Sequence, residues 1–266
     1  MAKSKNIISV KQYLDEEFSG IDVSLGQEEL FKRADPDALE IFRELIEEVY
    51  CLWGSSYAPV KDIMDAEYEA HDYIYKNPEL ARICLSVNRD REEKTLQYVM
   101  ENLQQPKNLL DLGCGEGIKT IYYALTTGAD ITAIDLIPSG LNLVKEKAMK
   151  YRLSNISTVE VDIRDFDLGI GFDGVLANCV LHESGDNREG GFYGTPPNRV
   201  EDKVRNIAKH LNPGGTFIAT LDECHGSNGM SYTIAKHAEN QGLNEVCIET
   251  ILESEHNSLM AIKAIK

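Results

Sequence analysis

Leu109-Leu110-Asp111-Leu112-Gly113-Cys114-Gly115-Glu116-Gly117 is a short apolar run that passes directly into three glycines at alternate positions. In an open parallel sheet a ligand lies beyond the carboxyl ends of the strands, and glycines there let the backbone approach it closely. The stretch therefore predicts a strand followed by a nucleotide-like binding turn. A dinucleotide fingerprint needs a further glycine three places after Gly115, but position 118 is Ile, so the pattern is GxGxG. Asp111 precedes the turn, and its carboxylate would repel a pyrophosphate and attract a cation. The expected ligand is a positively charged nucleoside.

Working outward, the chain after Asn108 alternates short apolar runs with helical patterns, as βαβ units of a parallel sheet do. Strands are expected near Asn108–Asp111, Asp130–Asp135, Ser157–Val161, Gly174–Asn178 and Thr216–Leu221, with helices over Ser139–Tyr151 and Val200–Leu211. Asn212-Pro213-Gly214-Gly215 reads as a turn into the fifth strand, and Glu245–Ile251 with Ser258–Ile265 as an antiparallel hairpin at a sheet edge. Residues 1–105 read as mostly helical. After Ala34, Asp35 can cap and Pro36 suits the first helical position, with Leu39, Phe42, Ile46 and Val49 on one face. A second start falls at Asn77-Pro78, and Leu96, Val99, Met100 and Leu103 form a third apolar stripe. The expected organisation is a helical N-terminal cap over 1–105 and a ligand-binding domain over 106–266.

Asp135 ends the second strand twenty positions after Gly115. A carboxylate there can accept both hydrogen bonds of a ribose diol. Asp162-Ile163 ends the third strand, where a carboxylate beside an apolar side chain suits an adenine; the alternative for Asp162 is a turn or capping role.

The ordered set DLGCGEG, AID, VDIRDF, FDGVLANCVLHE and LNPGGTFIATLDE resembles the successive motifs of class I S-adenosylmethionine-dependent methyltransferases, over about residues 107–266. The resemblance implies a doubly wound, mostly parallel seven-stranded Rossmann-like α/β sheet, with S-adenosyl-L-methionine as cofactor and S-adenosyl-L-homocysteine as product. It implies that Asp111, Gly113, Cys114, Gly115 and Gly117 lie near the methionine portion, Asp135 with Leu136 at the ribose, and Asp162 with Ile163 at the adenine. Asn178 would help to hold the methionine amino group through its backbone. The substrate is not inherited, because the N-terminal third points to no subfamily.

Methyl transfer from a sulfonium is an in-line displacement that alignment and exclusion of water can drive without a dedicated catalytic residue. If the acceptor must lose a proton, a base is expected where the fourth and fifth strands open. His182 and Glu183 follow one, and Asp222, Glu223 and His225 the other; His182 is preferred because an imidazole titrates near neutral pH. A structural histidine is the alternative. The glycine-rich stretch from Glu183 to Asn198 suits a lid or a mobile surface loop, with Arg188, Phe192 and Tyr193 as substrate contacts, and 225–230 is a second loop for the same cavity. No metal is expected, since CxxC and HExxH are missing; Asp222, Glu223 and His225 are the only alternative ligand set.

The bulk numbers narrow the partners. The chain has 266 residues, with 27 Lys and Arg against 44 Asp and Glu, a net charge of −17. Such a surface repels phosphate backbones and anionic lipid, which disfavours nucleic-acid and membrane partners and favours a small-molecule acceptor. A homodimer stays open. Met1–Val10 has no apolar secretory core, and the six scattered cysteines suit a reducing cytoplasm. Three other readings remain: a protein or peptide acceptor, a regulatory protein that binds the cofactor without turnover, and an NAD-dependent enzyme.

Overall fold

The structure, a computed structural model, describes residues 8–25, 27–54, 60–164, 166–181, 197–224, 229–253 and 257–266. Six helices come first: α1 (Val10–Glu17), α2 (Gln27–Phe31), α3 (Pro36–Gly54), α4 (Val60–Lys76), α5 (Pro78–Val87) and α6 (Arg89–Asn102). Then β1 (Asn108–Leu112), α7 (Ile118–Thr127), β2 (Asp130–Asp135), α8 (Pro138–Lys150), β3 (Ile156–Glu160), β4 (Phe172–Asn178), α9 (Pro197–His210) and β5 (Leu211–Cys224) follow. The chain closes with α10 (Met230–Asn240), β6 (Asn244–Glu253) and β7 (Asn257–Ile265).

The strands form one seven-stranded sheet in the order β3-β2-β1-β4-β5-β7-β6. Strands β1 to β5 pair in parallel, and β7 runs antiparallel to both β5 and β6. The order reverses between β1 and β4, and in such sheets the crevice at the carboxyl ends of those two strands is where ligands bind. Neighbouring residues of one strand face opposite layers. Leu110 and Leu112 join a core with α9 and α10, while Leu109 joins one with α1, α6 and α7. Burial on both faces explains why β1 reads as a continuous apolar run rather than an alternating one.

The expected helix starts are present: Ala38 N–H donates to Asp35 Oδ1 at 2.9 Å, and α5 begins at Pro78. Leu96, Val99 and Leu103 of the third stripe are buried. The predicted turn at Asn212–Gly215 is instead a bulge inside β5. Leu211 still pairs with Phe172 and Thr216 with Gly174, so four residues arch out between them. Gly214 N–H donates to the Lys266 carbonyl at 2.7 Å and Lys266 N–H to that of Gly215 at 3.0 Å, which keeps the arch hydrogen-bonded to the end of β7. The hairpin lies at the sheet edge as expected, with β7 inside it and β6 outermost.

Helix α1 is fastened to the sheet layer at two points. Fully buried Tyr13 donates from its hydroxyl to the Ile118 carbonyl at 2.7 Å, at the first turn of α7. Glu17 receives Lys150 Nζ at 2.7 Å and the Tyr151 hydroxyl at 2.6 Å at the end of α8. Among the described residues no helix is long and apolar enough to cross a membrane.

Candidate active site

Gly113, Gly115 and Gly117 all adopt left-handed backbone, with φ of 62°, 54° and 81°. At Gly113 space adds to the requirement: a Cβ there would lie 2.2 Å from Val180 Cγ2. Two hydrogen bonds draw the loop onto the end of β2. Cys114 N–H donates to the Ile134 carbonyl at 3.0 Å, and Gly115 N–H to Asp135 Oδ2 at 2.8 Å. Ile137 N–H donates to the other Asp135 oxygen at 2.9 Å. The Asp135 carboxylate is thereby fixed beside the loop.

Asp111 below the loop, Glu116 within it and Asp135 beside it are all buried, and Asp135 and Glu116 both act on the Asp111 carboxyl. Burial pushes the Asp111 carboxyl up to about 6; the Thr120 hydrogen bond, at 2.6 Å, and nearby Lys119 oppose the rise, while Asp135 and Glu116 add to it. Burial also raises Asp135, against the pull of its two amide donors and of His71. Concentrated negative charge in a low-dielectric pocket is relieved by an incoming cation.

At the ends of β4 and β5, an ionic network centred on buried Glu92 joins α6 to the sheet. Glu92, 1% exposed, meets Lys119 Nζ at 2.7 Å and Arg91 at 3.5 Å, and Arg91 reaches Asp222 Oδ2 at 2.6 Å. Cys179 sits beside it with φ of 57°, held by its N–H on the Thr220 carbonyl at 2.7 Å. Burial pushes the Cys179 thiol up to about 11 and raises that of Cys114 strongly, so both stay protonated at neutral pH and are poor nucleophiles. Asn178 spends its side chain on cross-links: Nδ2 donates to the Tyr123 hydroxyl at 3.4 Å and Oδ1 accepts from Thr220 Oγ1 at 3.3 Å.

Helix α4 supplies residues that the sequence reading did not single out. The Tyr75 hydroxyl lies 2.8 Å from where a Cβ on Gly115 would stand, and its ring 3.1 Å from one on Gly140. Ser139 Oγ donates to Asp72 Oδ1 at 2.7 Å, which fastens α4 to the first turn of α8. The His71 and Tyr75 rings are 6.1 Å apart, one helical turn from each other. The signal in the sequence was the spacing His71…Tyr75, but the partner of that face is set by packing.

The structure brings Asp111, Gly113, Cys114, Gly115, Gly117 and Asp135 together, with Asn178 on the strand beside them. Leu136, next to Asp135, is 43% exposed. Asp162 accepts the Arg164 backbone N–H and both sides of its carboxylate meet Arg164 Nε, each at 2.8 Å, so the turn-residue alternative describes its contacts here. Ile163 packs against the core shared with α9 and α10. His182, Glu183, Arg188, Phe192, Tyr193 and His225 lie outside the described residues, as does the side chain of Glu223. Among the described residues no group of three His, Cys, Asp or Glu could hold a metal ion.

Residues 103–259 match the family model described as a methyltransferase domain. The chain belongs to the class I S-adenosylmethionine-dependent methyltransferases. Its curated relatives include the probable S-adenosyl-L-methionine-dependent methyltransferase TehB of Haemophilus influenzae, 32% identical over 41% of this chain and 34% of the relative. Another is the dTDP-4-amino-2,3,4,6-tetradeoxy-D-glucose N,N-dimethyltransferase of Saccharopolyspora spinosa, 27% identical over 47% of this chain and 44% of the relative. The chain spans about a third of the length of the first curated relative it matches. Its fold is similar to that of the N-methyltransferase NodS of Bradyrhizobium japonicum WM9 in complex with S-adenosyl-l-homocysteine, with a TM-score of 0.53, 20% identity, and coverage of 66% of this chain and 87% of NodS.

Proposed function

We propose that this methyltransferase transfers the methyl group of S-adenosylmethionine to an oxygen or nitrogen of a small-molecule acceptor. One observation carries the reading: a glycine turn with no room for a Cβ at Gly113 gathers three buried carboxyl groups, Asp111, its own Glu116 and Asp135, at the switch point of the sheet. That site fits a nucleoside bearing a sulfonium and suits no pyrophosphate. When bound, the cofactor supplies an electrophilic methyl group on a positively charged sulfur.

The residues of the chain bind, orient and exclude water. Asp111 and the turn from Gly113 to Gly117, including Cys114 and Gly115, hold the charged methionine portion, and Asn178 offers its backbone to the amino group. Asp135, with Leu136 beside it, would receive the ribose, and the chain at Asp162 and Ile163 would border the adenine, the Asp162 carboxylate exchanging its Arg164 contacts for the ring amino group. Helices α1 to α6 form the cap that, with the 182–196 stretch and its Arg188, Phe192 and Tyr193, encloses the acceptor. His182, Glu183 and His225 are the candidate bases for an acceptor that must lose a proton. The net charge of −17 supports a small molecule over nucleic acid. The Saccharopolyspora relative, named for an amino-sugar nucleotide, supports a nitrogen acceptor. The scattered cysteines support a reducing cytoplasm.

Methyl-labelled cofactor incubated with the protein and a fractionated cell extract tests the reading. Label is expected in a small-molecule fraction. Label confined to protein would replace the acceptor class, and saturable cofactor binding with no labelled product in any fraction would leave a regulatory protein.

A further inference from the structure

A cavity of about 390 Å3 lies between α1, α5 and α8 and reaches the glycine turn at Glu116. That is the small end of the roughly 300–1,000 Å3 typical of small-molecule sites. Its lining includes no described residue from the carboxyl ends of β1, β2, β4 or β5, so it is separate from the crevice of the cofactor. The cations of the lining are all spent within the walls. Arg82 donates to the Glu17 carbonyl at 3.2 Å, to the Ser19 carbonyl at 2.6 Å and to Glu79 at 3.0 Å. Lys147 and Lys150 both turn to the Glu17 carboxylate, at 3.5 and 2.7 Å. Two carboxylates of the lining are not matched in this way. Glu116, 8% exposed, receives the Ile118 N–H on one oxygen at a long 3.4 Å, and no described residue donates to the other. Glu146 makes no hydrogen bond or ion pair among the described residues. A carboxylate nine-tenths buried with an open oxygen is costly unless a donor meets it.

We propose that this cavity binds a small aliphatic primary amine, its ammonium on Glu116 and its chain on Pro78, Ala81, Leu85 and Leu143, and that the bound amine weakens the hold of the turn on the cationic cofactor. An ammonium brings three donors and a positive charge, which the unmatched carboxylates lack. An anion would instead have to displace Glu17 from Lys147 and Lys150. The coupling follows from the position of Glu116, which stands between Gly115 and Gly117 and is among the charges that act on Asp111. A second cation there cancels part of the field that draws a sulfonium to the turn. S-adenosylhomocysteine, whose sulfur is neutral, loses far less. The coupling rests on the cofactor assignment made above; the amine site does not.

Titration of the full chain with n-butylammonium chloride and with 1-butanol at constant ionic strength, followed by amide chemical shifts, tests the site. Saturable shifts at Ala81, Glu116 and Leu143 are expected from the amine and not from the alcohol. Glu116→Gln, which keeps an acceptor for Ile118, should weaken the amine about tenfold, the size of one hydrogen bond to a charged group, and Glu146→Gln should weaken it less. Equal shifts from the alcohol would make the cavity an apolar hollow, and shifts centred on the ends of β4 and β5 would put the amine in the place of the methyl acceptor. Either result, or no saturable shift at all, overturns the proposal. Calorimetry in saturating amine then reads the coupling: affinity for S-adenosylmethionine should fall on the order of fivefold and that for S-adenosylhomocysteine much less. An equal fall for both, or none for S-adenosylmethionine, overturns the coupling. Should neither nucleoside bind the chain without amine, the cofactor assignment falls, while the amine shifts still decide the site.

Discussion

At Asp111, burial holds the carboxyl at about 6 against an ordinary 3.8, and the two figures set opposite expectations for stability and for binding. The folded-state value is raised, so the neutral form is the one the empty fold prefers. Its contribution is complete below the ordinary value and is lost as pH rises through about 6, a difference of ~3 kcal/mol. A cationic ligand prefers the ionised form. Affinity for S-adenosylmethionine is therefore expected to fall below pH 6, by up to about tenfold per pH unit, as followed by titration across the range. Asp111→Asn should separate the two effects: the empty protein becomes more stable at neutral pH while cofactor binding weakens, and a variant that lost both would contradict the electrostatic account. Gly113→Ala meets a left-handed φ of 62° and Val180 at 2.2 Å, so ~1–3 kcal/mol should be lost in denaturant unfolding. Adding Val180→Ala should restore part of the loss but not the part due to φ. The glycines, Asp111 and Asp135 could be read from the letters because each is demanded by local backbone or by charge. The pairing of Asp162 with Arg164 could not be weighed against an adenine contact, since both use the same carboxylate.

The elements that join cap to sheet differ in what holds them. α1 depends on Tyr13, fully buried with its hydroxyl on Ile118, so Tyr13→Phe should cost ~1 kcal/mol and Tyr13→Ala ~3–5 kcal/mol in equilibrium unfolding. Equal costs would show that the hydrogen bond to the start of α7 and not packing fastens the helix. α6 depends on Glu92, whose carboxylate is 1% exposed between Lys119 and Arg91. Removing one partner of a buried pair leaves the others uncompensated, so Glu92→Ala is expected to cost ~3–5 kcal/mol. Its stability loss should exceed that of Glu201→Ala, whose pair with Arg205 is on the surface and worth ~0–1 kcal/mol. The sequence showed α3, α5 and the α6 stripe through caps, Pro36, Pro78 and apolar spacing. Glu92 and Lys119 stood in it as ordinary charged residues of amphipathic helices, and only the packing of α6 on α7 buries Glu92 against the half-buried Lys119.

Over the whole molecule, a net charge of −17 produces self-repulsion that the folded state concentrates and the unfolded chain dilutes. Raising ionic strength to about 0.2 M, where the screening length falls below ~10 Å, is expected to raise the Tm of the ligand-free protein in circular-dichroism melts. A Tm that fell with salt would show that ion pairs such as Arg91–Asp222 outweigh the general repulsion.

The order of strands and helices after Asn108, the terminal hairpin and the glycine turn with its flanking acids were determined by the letters alone. Each follows from a period, a turn residue or a charge that acts over a few neighbours. The tertiary structure decided what spans many residues: the pairing that turns Asn212–Gly215 into a bulge, the burial of Glu92, and the docking of α4 that sets Tyr75 against Gly115 and Gly140. The physical reason is that a helix face carries no record of its partner, because apolar and aromatic side chains bury equally well against any complementary surface until the fold chooses one.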